Sequence, residues 1–181
     1  MTNEDLRNIL IKASLRAVLK QHDNGSFEAG CNGPYKHSET PVRNTAHWLS
    51  VFCYAIKSNK LNLQERKYIE NSSHKAVNYL LSNNSRPNKK SFFCRSAKGK
   101  DSCNGLIGQA WTIEGLIRVY NELNIEEARN VALEVFFLHP FDYEKGIWKR
   151  VEVDGNILGF DFTFNHQLWF AAIAIQLEDA R

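Results

Sequence analysis

Two of the six histidines in this 181-residue chain open apolar segments. His166 stands in Asn165-His166-Gln167-Leu168-Trp169, five residues after Asp161, and His47 stands in Asn44-Thr45-Ala46-His47-Trp48. Imidazole titrates near neutrality, so it gives or takes a proton at little cost. His166, with Asp161 placed to orient it, is the first candidate for a general acid or base, and His47 the second. The competing reading of each is a helix-capping or core histidine held by a hydrogen bond. Asp161 is a candidate acid in its own right, or else a solvated or capping carboxylate. Arg43 suits a substrate carboxylate or phosphate, or forms an ion pair with Glu39 four residues before it. Glu114, inside an apolar stretch, must be paired or functional, and Arg118 at i+4 is placed to pair it.

Composition removes several classes. The 23 basic and 20 acidic residues leave a net charge of +3, too weak to point to nucleic acid. The densest basic stretch, Lys89-Lys90 through Arg95, Lys98 and Lys100, reads as a solvated loop. No apolar run approaches the length of a membrane span, and the first residues lack a charged-then-apolar leader. The expectation is a soluble, cytoplasmic protein with reduced thiols. Cys31, Cys53, Cys94 and Cys103 form no C-x-x-C pair, so neither a zinc site nor another metal or cofactor site is expected.

The elements that position these residues are mostly helical. Helices are predicted over about 4–21, 44–58, 63–81, 106–123, 125–138 and 165–177 from apolar spacing. Residues 26–43, rich in Gly and Pro, carry no regular period, and loops of that length are often functional. Ile147 to Val153 alternates, Asp154-Gly155 turns, and Asn156 to Phe162 returns, which predicts a β-hairpin near 147–162. From the second helix on, nearly all-apolar and amphipathic helices alternate. The apolar ones carry Trp48, Trp111 and Trp169, 63 and 58 residues apart. A period near 60 with two helices per unit predicts stacked helical hairpins, about three in one domain over residues 1–181, with the apolar helices as an inner layer.

This repeat, with the strand Gly146-Ile147-Trp148-Lys149-Arg150-Val151-Glu152-Val153 and the Asp154-Gly155 turn leading into an inner helix, resembles the (α/α)-toroid carbohydrate-active enzymes. These include N-acylglucosamine 2-epimerase-like isomerases, unsaturated glucuronyl hydrolases and polysaccharide lyases. The resemblance implies an all-α fold of helical hairpins forming part of a toroid, with one β-hairpin. In the epimerases paired histidines on inner helices move the proton. In the hydrolases aspartates act, and the candidates here are Asp101, Asp142 and Asp161. Prenyl and terpenoid enzymes also use such rings but carry Asp-x-x-Asp motifs, which this chain lacks.

In such a ring the loops before the inner helices meet at one mouth. The resemblance therefore places residues 26–43, 99–105 and 161–165 together. It implies a carbohydrate substrate, a sugar or uronic-acid glycan, handled by proton transfer in hydrolysis, elimination or epimerisation. His166, His47, Asp161 and Glu39 are the expected catalytic residues. A paired-carboxylate glycosidase needs a second acid near Asp161, and Glu39 and Asp101 are the candidates, with Glu28 behind them. Arg43, Asn44, Tyr35, Gln109, Asn165 and Gln167 would bind substrate, with Trp148 as a flat platform. The alternative is a non-catalytic helical-repeat module that binds a glycan or protein, or a fragment of a larger toroid enzyme. Closed rings of the resembled families have more than three hairpins, so a homodimer is one way to complete a mouth.

Overall fold

The structure is a computed structural model, and it describes residues 2–32 and 37–180. Tyr35 lies outside the described residues. The described residues are mostly helical, with α1 (Asn3–Val18), α2 (Pro41–Lys57), α3 (Leu63–Leu81), α4 (Gly105–Leu123), α5 (Glu126–Leu138) and α6 (Phe164–Asp179). Between α1 and α2 runs a short antiparallel pair, β1 (Cys31–Asn32) and β2 (His37–Ser38). Between α5 and α6 lies a three-stranded antiparallel sheet, β3 (Phe141–Asp142), β4 (Ile147–Val151) and β5 (Ile157–Phe160).

The helix starts follow local chemistry. Thr2 and Asn62 cap α1 and α3 in reciprocal boxes with Asp5 and Glu65, each satisfying otherwise orphaned donors. Helix α2 begins at Pro41, three residues earlier than its apolar spacing suggests. Thr40 accepts from the Val42 N–H and Pro41 needs no donor in the first turn. The hairpin forms as expected but bulges between Arg150 and Val151. Strand β3 extends it by pairing with β4.

Helix α4 is the centre of the packing. It lies between α2 and α6, with α5 against it, while α1 and α3 pack on α2. Its core side chains include Leu106, Ala110, Ile113, Leu116 and Ile117, which meet Leu49, Phe52 and Ile56 of α2 and Phe170 and Ile173 of α6 in one buried cluster. Contacts advance in step along α2 and α4. The His47 and Trp111 rings stand 5.6 Å apart, and seven residues further along both helices Arg118 donates to the Tyr54 hydroxyl at 2.8 Å. On the other flank Trp111 meets Trp169 edge to face at 6.5 Å, and Gly105 abuts His166. Helices α2, α4 and α6 therefore run parallel in one row, with α1, α3 and α5 against them. Helix α6 departs from the fully buried layer expected of it. Phe170, Ile173 and Leu177 are buried, but Leu168, Trp169 and Ile175 face solvent.

Two positions make the packing testable. A Cβ built on Gly115 of α4 would lie 2.6 Å from the Ala46 carbonyl oxygen of α2, so glycine sets how closely these helices approach. Alanine gains about 1 kcal/mol of helix propensity over glycine, while forced overpacking costs roughly 1–3 kcal/mol. Gly115→Ala is expected to be destabilising overall, seen as a lower urea midpoint with unchanged slope.

His139, at the end of α5, is buried against Phe170. Its Nδ1–H donates to the Lys149 carbonyl at 3.2 Å, and its Nε2 is buried without a partner. Burial pushes its pKa down to about 4, against smaller upward effects of the Lys149 carbonyl and Asp161. The unfolded chain binds a proton here more readily than the folded one. Stability is therefore complete above about pH 6.5 and falls as the pH drops towards 4, by about 3 kcal/mol. Urea titrations from pH 7 to 4 should show this slope, and His139→Asn, which keeps a donor for Lys149 in the place of Nδ1, should flatten it.

Candidate functional site

Helix α4 begins at Gly105 after Asn104, which sits in the left-handed region and provides no side-chain cap. The first free amides are closed instead by two carboxylates, one four residues upstream of Gly105 and one far downstream. The Gly105 N–H donates to Asp101 Oδ1 at 2.9 Å, and the Leu106 N–H to Asp161 Oδ2 at 3.0 Å. Gly105 has φ +59°, and a Cβ there would lie 2.7 Å from Asp161 Oδ2. Only glycine suits both the backbone and the approach of the carboxylate.

Asp161 is buried, at 5% exposure. Besides the Leu106 amide it accepts from the Thr163 N–H at 3.1 Å and meets His166 Nδ1 at 2.9 Å. Burial alone would raise its pKa. The His166 hydrogen bond, the two amides and the His166 charge outweigh that and hold it at about 2. An ionised carboxylate only accepts, so Nδ1 carries the proton and Nε2 of a neutral His166 is the proton acceptor. Gln167 fixes the backbone around this pair. Its Oε1 accepts from the Trp148 N–H at 2.9 Å, and its Nε2 donates to the carbonyls of Trp148 and Asp161 at 3.0 and 2.6 Å.

His166 and Asp161 line a cleft of about 630 Å³ with Asp101, Arg95, Lys100, Arg150 and Glu152. Asp101 is gripped by Arg95 at 2.9 Å and Arg150 at 3.2 Å. Burial works to raise its pKa, but the Gly105 amide, Arg95, Cys103 and Arg150 keep it below the usual carboxylate value. Glu152 accepts from the Ser102 and Cys103 amides at 2.9 and 3.0 Å. All three acids of the cleft thus hold backbone donors, and two arginines stand among them.

The expected residues divide. His166, Asp161 and Asp101 come together. Glu39, Arg43 and His47 do not line this cleft and form a second cluster between α2 and α4. Arg43 donates to Glu39 at 2.7 Å and stacks over Trp111 at 4.3 Å, which is the ion-pair alternative for Arg43. Burial and the Arg43 charge lower the His47 pKa, against Glu114 and Glu39. Glu114 is paired with Arg118 at 2.6 Å. Asn44 donates to the Glu28 carbonyl at 2.7 Å. Asn165 is exposed in the first turn of α6.

Two expected substrate contacts are instead structural. Gln109 is fully buried, and its amide accepts from the Phe92 N–H at 2.7 Å and donates to the carbonyls of Phe92 and Cys103. Trp148 is half-buried against Phe136, Phe141 and Phe170 and lines a groove beside α6 rather than the cleft of His166. Arg95, Lys100, Arg150 and Glu152 were missed. The basic stretch reads as solvated in sequence, yet Arg95 turns in to Asp101. The period-2 pattern of β4 was the signal that could have placed Arg150.

Among the described residues no group of three or more His, Cys, Asp or Glu is arranged to hold a metal ion. No helix among them is long and apolar enough to cross a membrane. The thiols of Cys53, Cys94 and Cys103 are free and buried, and burial pushes each upward in pKa.

No protein-family profile matches the chain, and no solved structure does. Over 167 residues it is 47% identical to a protein of Haloferax volcanii named archaeal glycosylation protein Q. The match takes in 92% of this chain and 44% of that protein, so the chain spans less than half the length of this relative.

The Asp161 geometry predicts a specific acid response. Its folded pKa lies below the ordinary value, so its stabilisation is complete above about pH 4 and is lost as the pH falls towards 2. Asp161→Asn should lower stability at pH 7 by about 2 kcal/mol, with the difference from the parent shrinking over that acid range in chemical denaturation.

Proposed function

We propose that this protein acts on a carbohydrate, a sugar or uronic-acid glycan, in the cleft at the start of α4 and α6. His166 is the proton-transfer group and Asp161 its orienting partner. The observation that carries this reading is the His166–Asp161 pair itself. A buried, ionised carboxylate fixes the Nδ1 tautomer and leaves Nε2 as a base on a residue that lines the cleft. Hydrolysis, elimination and epimerisation all need such a group, and Arg95, Lys100 and Arg150 offer positive charge beside it for an acidic sugar. The parallel row of α2, α4 and α6 with α1, α3 and α5 against it supports an arc of an (α/α) toroid. A relative named for glycosylation supports a glycan-related role.

The test begins with a thermal-shift screen of uronic-acid and amino-sugar oligosaccharides, followed by mass spectrometry of products. With a substrate in hand, His166→Asn, which keeps a donor in the place of Nδ1, should lose about a hundredfold or more in turnover with its far-UV circular dichroism intact. Unchanged turnover removes His166 from the chemistry. Binding without any product replaces the catalytic reading with that of a glycan-binding module.

A further inference from the structure

We infer that Asn104 is a substrate-reading residue of the cleft, its carboxamide taking a pair of adjacent hydroxyls on the sugar ring. The inference rests on the proposed function and deepens it. Asn104 stands where a helix normally takes its side-chain cap, and asparagine is among the residues that best supply one. Here it supplies none. The amides it would have closed are taken by Asp101 and Asp161. Its backbone, at φ 57° and ψ 44°, lies in the left-handed region instead of the extended one. The side chain is thereby released from the helix.

The released side chain goes into the cleft. Asn104 is 9% exposed and lines the cleft. Among the described residues its carboxamide has no hydrogen-bond partner. The side-chain polar atoms sealed from solvent without a partner belong, among those residues, to Arg43, His139 and Arg150. The Asn104 amide, equally unpartnered, therefore opens on the cleft and not into the core. A polar side chain buried to this extent calls for a partner. The next residue fixes its neighbourhood. A Cβ on Gly105 would lie 2.7 Å from Asp161 Oδ2 and 3.3 Å from His166 Nδ1, so Asn104 stands directly beside the His166–Asp161 pair.

The chemistry of the carboxamide says what it takes. It carries a donor and an acceptor side by side. Two adjacent sugar hydroxyls match that pair, one accepting from Nδ2 and the other donating to Oδ1. A carboxylate matches it poorly, because it only accepts. That group belongs with Arg150 and Lys100, which line the same cleft. Asn104 and the cations thus read different parts of one acidic sugar, and together they set how its ring faces His166.

Asn104→Gly tests this without disturbing the turn, since glycine enters the left-handed region at no steric cost. Its urea midpoint should stay close to that of the parent. Its affinity for glucuronic-acid and galacturonic-acid oligosaccharides, measured by calorimetry, should fall about tenfold, the worth of one or two neutral hydrogen bonds. In the 15N-labelled parent, the side-chain NH2 signals that are missing from the variant should shift as the same oligosaccharides are added. His166→Asn is the control, expected to lose turnover and keep affinity. If the parent binds and Asn104→Gly binds equally well, or the NH2 signals stay in place, the inference is overturned and the proposed function stands. A large fall in the urea midpoint also overturns it, because the side chain then serves the fold. If the parent binds none of these oligosaccharides, the proposed function fails and the inference fails with it.

Discussion

The start of α4 imposes the constraint on which the rest of this fold depends. A helix leaves its first amides without partners, and here those amides belong to buried residues, Gly105, at the floor of the cleft, and Leu106. The local residue, Asn104, does not cap them. The two nearest carboxylates come from opposite directions along the chain, Asp101 four residues before Gly105 and Asp161 fifty-five residues after Leu106. Closing α4 therefore requires the sheet to be folded and α6 to be docked. Gln167 serves the same end by tying the Asp161 and Trp148 carbonyls to α6. Negative charge at this end also suits the helix dipole, so the arrangement satisfies hydrogen bonding and electrostatics together.

The cleft is a by-product of that solution. Once Asp101 and Asp161 are committed to the α4 amides, the arginines that neutralise Asp101 must stand beside them, and His166 follows one turn into α6. The acids are all engaged. His166 differs because only its Nδ1 face is held, and its ring, about a quarter exposed, keeps a second nitrogen for other use. A group with one nitrogen fixed and the other available is what a proton-transfer role requires.

What was legible in the sequence was what depends on short range. Spacing placed α3 and α4 almost to the residue. The pairs Glu114–Arg118 and Asp161–His166 could be read because their members lie one or two turns apart. The start of α2 is legible in principle, since Thr40-Pro41 is a cap followed by a first-turn proline, but the apolar spacing begins only further in. What could not be read depends on tertiary closeness. Nothing in the segment around Arg95 says that Asp101 will turn it inward, and Arg150 reaches the same carboxylate from β4, forty-nine residues away. Gln109 and Trp148 show the converse. A polar side chain at a helix opening and an aromatic on an alternating strand look equally available in one dimension, yet Gln109 is fully buried and Trp148 is half-buried against the core.

The double duty of Asp161 determines how its chemistry can be separated from its structural role. Removing the carboxylate strips partners from Leu106 and Thr163 as well as from His166, so lost activity in an Asp161 variant reports on folding and chemistry at once. His166 gives one hydrogen bond to Asp161 and caps no helix. Its replacement by Asn, whose Nδ2 stands where Nδ1 stood, keeps a donor for Oδ2 while removing the imidazole. The carboxylate then still holds α4, and a fall in turnover is a statement about the imidazole. The buried position of Asp161 and the part-open position of His166 are what make this separation possible.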